Sequence, residues 1–281
     1  MPSLKQPHVI ASLAPWVDVG NSASIALDRL EDHMDARNLT TLRNPGRYFD
    51  FTRYRPTIYS VEGERETSIP NLEVSYSQGP SKTDFVLMRM LEPHFNTEEY
   101  IDSIVELMVF LGVTRFCRIG GMWSDVPHTR PLPVIATMNG QDTGLPGTMP
   151  RQQSQYSGPT SIMNLVGTKA SEKGIEEANI LVRIPSIARL EEDYTSASRL
   201  LITLCHQYGF PNELADNTEG ELQYEEVSRQ IDQNPELRSY LAELEQTYDS
   251  WVNSDNASPL GPPYSFSSGL EKLLGDFEDL L

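Results

Sequence analysis

Cysteine is scarce in this 281-residue chain: only Cys117 and Cys205 occur, far apart and each among apolar neighbours. Secreted domains built on disulfides use more, so a reducing, cytoplasmic setting with two buried thiols is the expectation. The sequons at Asn38 and Asn256 then carry no sugar. Five dispersed histidines and two distant cysteines offer no zinc spacing, and no metal is expected. No apolar run approaches the ~18 residues of a membrane span, so no membrane partner is expected. Met1–Trp16 holds one lysine and a short apolar stretch, Val9–Ala14. That is not the pattern of a secretory leader, and it reads as a first strand. P-loop, G-x-G-x-x-G and G-x-S-x-G sequences are all missing. Phosphate cradle, dinucleotide fingerprint and serine nucleophile therefore lack support, and no cofactor is expected.

Basic residues are the other shortage, with 22 Lys/Arg against 40 Asp/Glu and a net charge of −18. Nucleic-acid binding depends on neutralising phosphates, so this balance argues against it and no nucleic-acid partner is expected. The charge is unevenly placed. From Pro211 onward there are 16 acidic and 3 basic side chains, leaving 24 and 19 for the preceding 210 residues. A nearly balanced body is followed by an acidic tail. The expected organisation is an α/β domain over 1–210 and an acidic helical extension packed on the body over 211–253. A Ser/Pro/Gly-rich linker, 254–269, and an amphipathic helix, 270–281, complete the chain.

What is present is an alternation of short apolar runs and helical stripes. Val9–Leu13, Phe85–Met90, Arg115–Ile119, Val134–Met138 and Ile180–Ile184 read as strands. Thr57–Val61 and Leu72–Tyr76 read as strands around a polar turn, Glu62–Glu66. Asn21 is placed to cap a helix through Ala23, Leu27, Leu30 and Met34. Thr97 is placed to cap another, with Ile101, Ile104, Val105, Met108 and Leu111 on one face and Gly112 at its end. Pro159 sits at a first helical position ahead of Ile162, Leu165 and Val166, and Tyr194–Tyr208 forms a helix closed by Gly209. Tyr224, Val227 and Ile231, then Leu237, Leu241, Leu244, Tyr248 and Trp251, give the extension two stripes broken at Pro235. Strands alternating with helices of this length predict an α/β sandwich, a mostly parallel sheet covered on both faces.

Ligands of such sheets bind beyond the strands' carboxyl ends. Four loops there are distinctive: Pro15–Asn21, Leu91–His94, Gly120–Pro131 and Tyr156–Ile162. In that order they resemble the PAC2 family, named after proteasome assembly chaperone 2, in its actinobacterial branch. The matching text is Trp16–Gly20, Tyr48–Phe51 with Arg55-Pro56-Thr57, Glu92-Pro93, Asp125–Pro131 and Tyr156–Ile162. Asp125–Pro131 is the most specific part, and the likeness spans roughly residues 8 to 250. Val17 stands for the usual Asn and Ser161 for the usual Gly. The resemblance implies a fold similar to purine nucleoside phosphorylase, with a central mixed, mostly parallel sheet flanked by helices. It also implies protein partners, proteasome-related ones among them, and self-association as a trimer or higher oligomer.

Two readings of the loops stand side by side. Asp18, Glu92, Asp125, His128, Arg130 and Tyr156 could converge as a ligand pocket for a nucleoside- or phosphate-like molecule. Alternatively Asp125 accepts backbone amides, Arg130 pairs with a carboxylate, and Glu92 caps a neighbouring helix. No residue is assigned as catalytic, and the leaning is toward a non-enzymatic, assembly-chaperone-like homo-oligomer. Arg47, Arg53 and Arg55 alternate with aromatics, a pattern that suits either an anion held by guanidinium contacts and stacking or an oligomer interface; the −18 background favours the interface, to which Trp251 and Phe277 are also assigned.

Overall fold

The computed structural model describes residues 2–61, 63–79, 82–150 and 160–252. Tyr156, Pro159, Phe277, the linker 254–269 and the segment 270–281 lie outside the described residues.

The chain forms a nine-stranded sheet with helices on both faces. Its centre is β1 (His8–Ala14), β6 (Phe85–Leu91), β7 (Arg115–Ser124) and β11 (Glu176–Pro185), all parallel in the order β11-β7-β1-β6. Antiparallel strands extend both sides. On one, β5 (Glu73–Ser77) joins β6 and the edge strand β2 (Arg37–Thr41) joins β5. On the other, β8 (Val134–Met138) joins β11 and carries the two-residue strands β9 (Gln141–Asp142) and β10 (Thr148–Met149). A separate hairpin pairs β3 (Thr57–Val61) with β4 (Glu64–Ser68). The segment Glu62–Glu66, expected as a turn, thus supplies most of a strand, and Leu72–Tyr76 pairs with the main sheet instead.

Period-two alternation divides the core. On β1, Val9, Ala11 and Leu13 face one side with Val86, Met88 and Met90 of β6. They pack under α2 (Thr97–Phe110) and α3 (Ile162–Glu172). Ile10 and Leu87 face the other side, under α1 (Ser22–Met34) and α4 (Tyr194–Tyr208). The predicted stripe of α2 is buried, together with Tyr100. Each such side chain contributes on the order of 1.5–3 kcal/mol when removed from water. Gly112, at φ +71, and Gly209, at φ +72, follow α2 and α4 in the left-handed conformation that ends a helix with least strain. Cys117 and Cys205 are both buried free thiols.

Helix starts differ from expectation in detail. Asn21 gives α1 no side-chain cap; the carboxylate of Asp18 accepts the amides of Ala23 at 2.7 Å and Ser24 at 3.2 Å instead. Ser161, not Pro159, precedes α3, and its hydroxyl accepts the Met163 amide at 3.1 Å.

The acidic segment beyond Pro211 forms α5 (Thr218–Asp232) and α6 (Pro235–Val252). Pro235 does not interrupt a helix; it opens one, where its missing N–H has no cost. Val227, Ile231, Leu237 and Leu244 make a small core with Ile187, at the loop after β11. Polar contacts tie the pair to the body. Tyr224 donates its hydroxyl to Asp193 at 2.8 Å, and Asp193 in turn caps α4 by accepting the Ser196 amide. Arg29 of α1 donates to the Asp216 carbonyl at 2.6 Å.

Candidate functional site

Beyond the carboxyl ends of β1, β6 and β7, the residues singled out by sequence fall into three separate settings.

The first is the loop after β1. Asp18 is 5% exposed. Beyond its two backbone contacts it accepts the Ser24 hydroxyl at 2.6 Å, so its carboxylate is committed to starting α1. The Gly121 amide donates to the Val17 carbonyl at 2.8 Å and fastens this loop to β7. Both glycines of the pair are closely packed, Gly120 against backbone and Gly121 against side chains. A Cβ on Gly120 would stand 2.5 Å from the Val17 carbonyl oxygen, and one on Gly121 would stand 2.5 Å from both Ser22 Oγ and Ile184 Cδ1.

The second is a cleft of about 480 Å³ where the loops after β1 and β6 meet the segment 48–54. Pro15, Trp16, Tyr54 and Phe95 supply its apolar lining, and Arg53, Glu92 and His94 its polar groups. Trp16 is 56% exposed and Phe95 50% exposed, so the mouth is aromatic and open. Tyr54 stacks edge-on against His94 at 4.6 Å and donates its hydroxyl to the Glu92 carbonyl at 3.1 Å. The imidazole of His94 accepts the Asp50 amide at 3.2 Å. Partial burial raises the pKa of the Glu92 carboxyl, opposed by the amide of Ile162 at the start of α3. Its Oε2 is buried without a hydrogen-bond partner. Glu92 therefore faces a helix start, as one of the two readings had it, and also lines a cleft.

The third is the Asp125–Pro131 loop, which α5 and α6 cover. Asp125 accepts the hydroxyls of Ser186 at 3.0 Å and Tyr240 at 3.2 Å. The imidazole Nε2 of His128 meets Ser228 Oγ at 2.9 Å, and its ring stacks edge-on against Tyr224. His128 is 5% exposed, and burial lowers its pKa to about 4 against an opposing effect of Glu245. The ring is thus a neutral buried group at neutral pH. Arg130 grips Asp249 with Nε and Nη2, each at 2.9 Å, and reaches Glu245 with Nη1 at 3.1 Å. Thr129 donates to Glu245, and Tyr248 donates to the Pro131 carbonyl at 2.8 Å. Each polar side chain from Asp125 to Arg130 makes a contact within the chain, and His128 Nδ1 is buried without a hydrogen-bond partner.

Asp18, Glu92 and the Asp125–Arg130 group therefore do not meet in one pocket. Sequence reasoning missed Ser228, Tyr240, Glu245, Tyr248 and Asp249, whose partners lie roughly a hundred positions earlier. Their only signal was the acidic, aromatic face of the tail stripes. It also left Trp16 and Tyr54 without a place in the cleft.

Of the residues assigned to an interface, Arg47 pairs with Glu99 at 2.8 Å. Arg53 is 73% exposed and stands 3.9 Å from Asp50. Arg55 is exposed. Their aromatic neighbours Tyr48 and Phe49 turn inward and are buried. Trp251 stacks edge-on against Tyr248 at 5.6 Å on the last turn of α6. Among the described residues no His/Cys/Asp/Glu group is arranged to hold a metal ion, and no helix is long and apolar enough to cross a membrane.

A model of the PAC2 family matches residues 12–233. Comparison with curated proteins returned no match. Among solved structures, a PAC2 family protein from Streptomyces avermitilis superposes with a TM-score of 0.69 at 24% identity, covering 83% of this chain and 99% of that one. A proteasome-assembly chaperone homologue from Mycobacterium tuberculosis gives 0.71 at 25% identity over the same shares, 83% and 99%. An archaeal proteasome activator from Pyrococcus furiosus gives 0.63 at 14% identity, covering 83% of this chain and 96% of that one.

Proposed function

The chain belongs to the PAC2 family, and from that premise we propose that it is a non-enzymatic, homo-oligomeric protein-interaction module of the assembly-chaperone kind. The observation that carries this reading is the Asp125–Pro131 loop. Its aspartate, histidine and arginine hold the chain's own β11 end, α5 and α6 rather than facing a cleft where a substrate would bind. An acid–base pair needs a reacting atom within hydrogen-bond reach, whereas Asp125, His128 Nε2 and Arg130 each hold a structural partner and the ring is buried.

The first partner class to try is proteasome subunits, since structural relatives are described as a proteasome-assembly chaperone homologue and an archaeal proteasome activator. The two buried free thiols support a reducing, cytoplasmic setting. The test is native electrophoresis and sedimentation of the full chain mixed with unassembled proteasome α- and β-subunits or with the assembled core particle. A shifted complex, or faster assembly, supports the reading. Unchanged migration of every mixture counts against it.

A second reading rests on the cleft at Glu92. Its volume suits a small ligand, and the unpartnered Glu92 Oε2 calls for a hydrogen-bond donor. A thermal-shift screen of nucleosides, nucleotides, phosphate and common metabolites tests it. A rise in melting temperature that Glu92→Gln abolishes supports a ligand site there.

A further inference from the structure

The β3–β4 hairpin stands apart from both cores. Every residue described for burial in its two strands is exposed, with Ile58 at 63% and Tyr59 at 53%. A two-stranded hairpin is at best marginally stable in water by itself. Its two outer edges also differ sharply. β4 reads Glu-Arg-Glu-Thr-Ser, and charges of that kind guard an edge against pairing. β3 reads Thr-Ile-Tyr-Ser-Val, rich in β-branched and aromatic residues and free of charge. Such a strand is a ready template for another strand.

We propose that the outer edge of β3 pairs with the β3 edge of a second copy of this chain, antiparallel about a two-fold axis at Tyr59. The inference deepens the homo-oligomer reading above and rests on it. Charge selects the occupant and the direction. With a net charge of −18, two copies repel except where a neutral or basic surface is offered. Arg55 enters β3 and Glu64 follows its far end. Neither has an ion-pair partner of its own among the described residues. Antiparallel pairing brings Arg55 of each copy to the Glu64 end of the other. Parallel pairing would set Arg55 beside Arg55 and Glu64 beside Glu64. Antiparallel pairing also places the two Tyr59 residues directly opposite, and sets Ile58 of each copy against Ser60 of the other. Aromatic pairs directly opposed across strands are favourable. The contact yields a four-stranded sheet, β4-β3-β3-β4, whose outer edges are the charged ones.

The experiment is sedimentation analysis of the full chain combined with cysteine cross-linking. Opposed residues of neighbouring strands have Cα atoms ~4.5–5.5 Å apart, within reach of a disulfide. Tyr59→Cys is therefore expected to form a covalent dimer rapidly under mild oxidation. Thr57→Cys forms it slowly, because its opposite number is Val61. The native thiols are buried and do not interfere. Arg55→Glu and Glu64→Arg are each expected to weaken self-association at least about ten-fold, and the double variant to restore it. A chain that oligomerises while Tyr59→Cys fails to cross-link, and both charge reversals have no effect, overturns this inference and leaves the oligomer reading intact. A wild-type chain that stays monomeric at all concentrations overturns both.

Discussion

Arg130 and Asp249 lie 119 positions apart and meet through two parallel hydrogen bonds, Nε to Oδ1 and Nη2 to Oδ2, each 2.9 Å long. The fork of a guanidinium matches a carboxylate in this geometry and fixes orientation as well as distance. The pair thereby sets α6 on the loop that follows β7.

Both side chains of that pair are partly exposed, so the contact is screened by salt and modest in strength. Arg130→Ala is expected to raise hydrogen exchange in α6 roughly two- to five-fold while leaving the central strands unchanged. Asp249→Ala should do the same, and the double variant should add little. Additive effects would mean the two side chains act separately.

Asp18 caps α1 from a buried position, accepting two amides and a hydroxyl. Asp18→Ala should cost about 1–2 kcal/mol in urea unfolding, the usual cost of a lost cap. A variant as stable as wild type would show that the loop, and not the carboxylate, starts the helix.

Gly120→Ala should be worse than an ordinary small-to-large change, because the new methyl meets a backbone carbonyl that is itself bonded to Gly121. The expected loss is about 1–3 kcal/mol or more, read as a lower melting temperature. Gly112→Ala is a useful comparison: a methyl there meets no atom within 4 Å, and only the φ of +71 is strained.

His128 makes acid stability testable. Its pKa falls from 6.5 to about 4 on folding, because burial disfavours the charged ring. Between those values the unfolded chain binds a proton that the native chain refuses. Stability from this group is therefore intact above about pH 6.5 and declines as pH drops toward 4. The loss is on the order of 2–3 kcal/mol. His8, lowered to about 4 chiefly by burial and then by Arg115, acts with the same sign. His128→Gln should lose less stability than wild type between pH 7.5 and 4.5 in urea titrations. Equal losses would mean that the ring charges freely in the native state.

Much of the fold was legible because the central elements obey simple periods. The α2 stripe from Ile101 to Leu111 marks a single face and is buried as read, and the continuous apolar run Val9–Leu13 lies in β1, which is buried on both faces. Two strands without a buried face escaped. β2, Arg-Asn-Leu-Thr-Thr, is a polar edge, and β4 is exposed throughout, so neither carries an alternating signal. Gly120 and Gly121 read as loop punctuation, yet they lie within β7, where the Val17 carbonyl presses on Gly120 and the side chains of Ser22 and Ile184 press on Gly121. The Asp125–Arg130 group stood out in sequence. Its partners on α5 and α6 could not be read there, since nothing local to the loop names Ser228 or Asp249.

The cover over the Asp125–Pro131 loop also imposes an order in time. The ribosome releases chain at ~5–20 residues per second. Arg130 thus emerges about 6 to 24 s before Asp249, the residue 119 positions later that completes its grip. Throughout that interval β1, β6 and β7 are already made and β11 follows, while His128 and Arg130 lack the partners that α5 and α6 supply. The nascent body therefore carries a proline-framed loop, with one carboxylate and one guanidinium, that α5 and α6 later cover. The arrival of α5 and α6 converts that temporary surface into an internal joint.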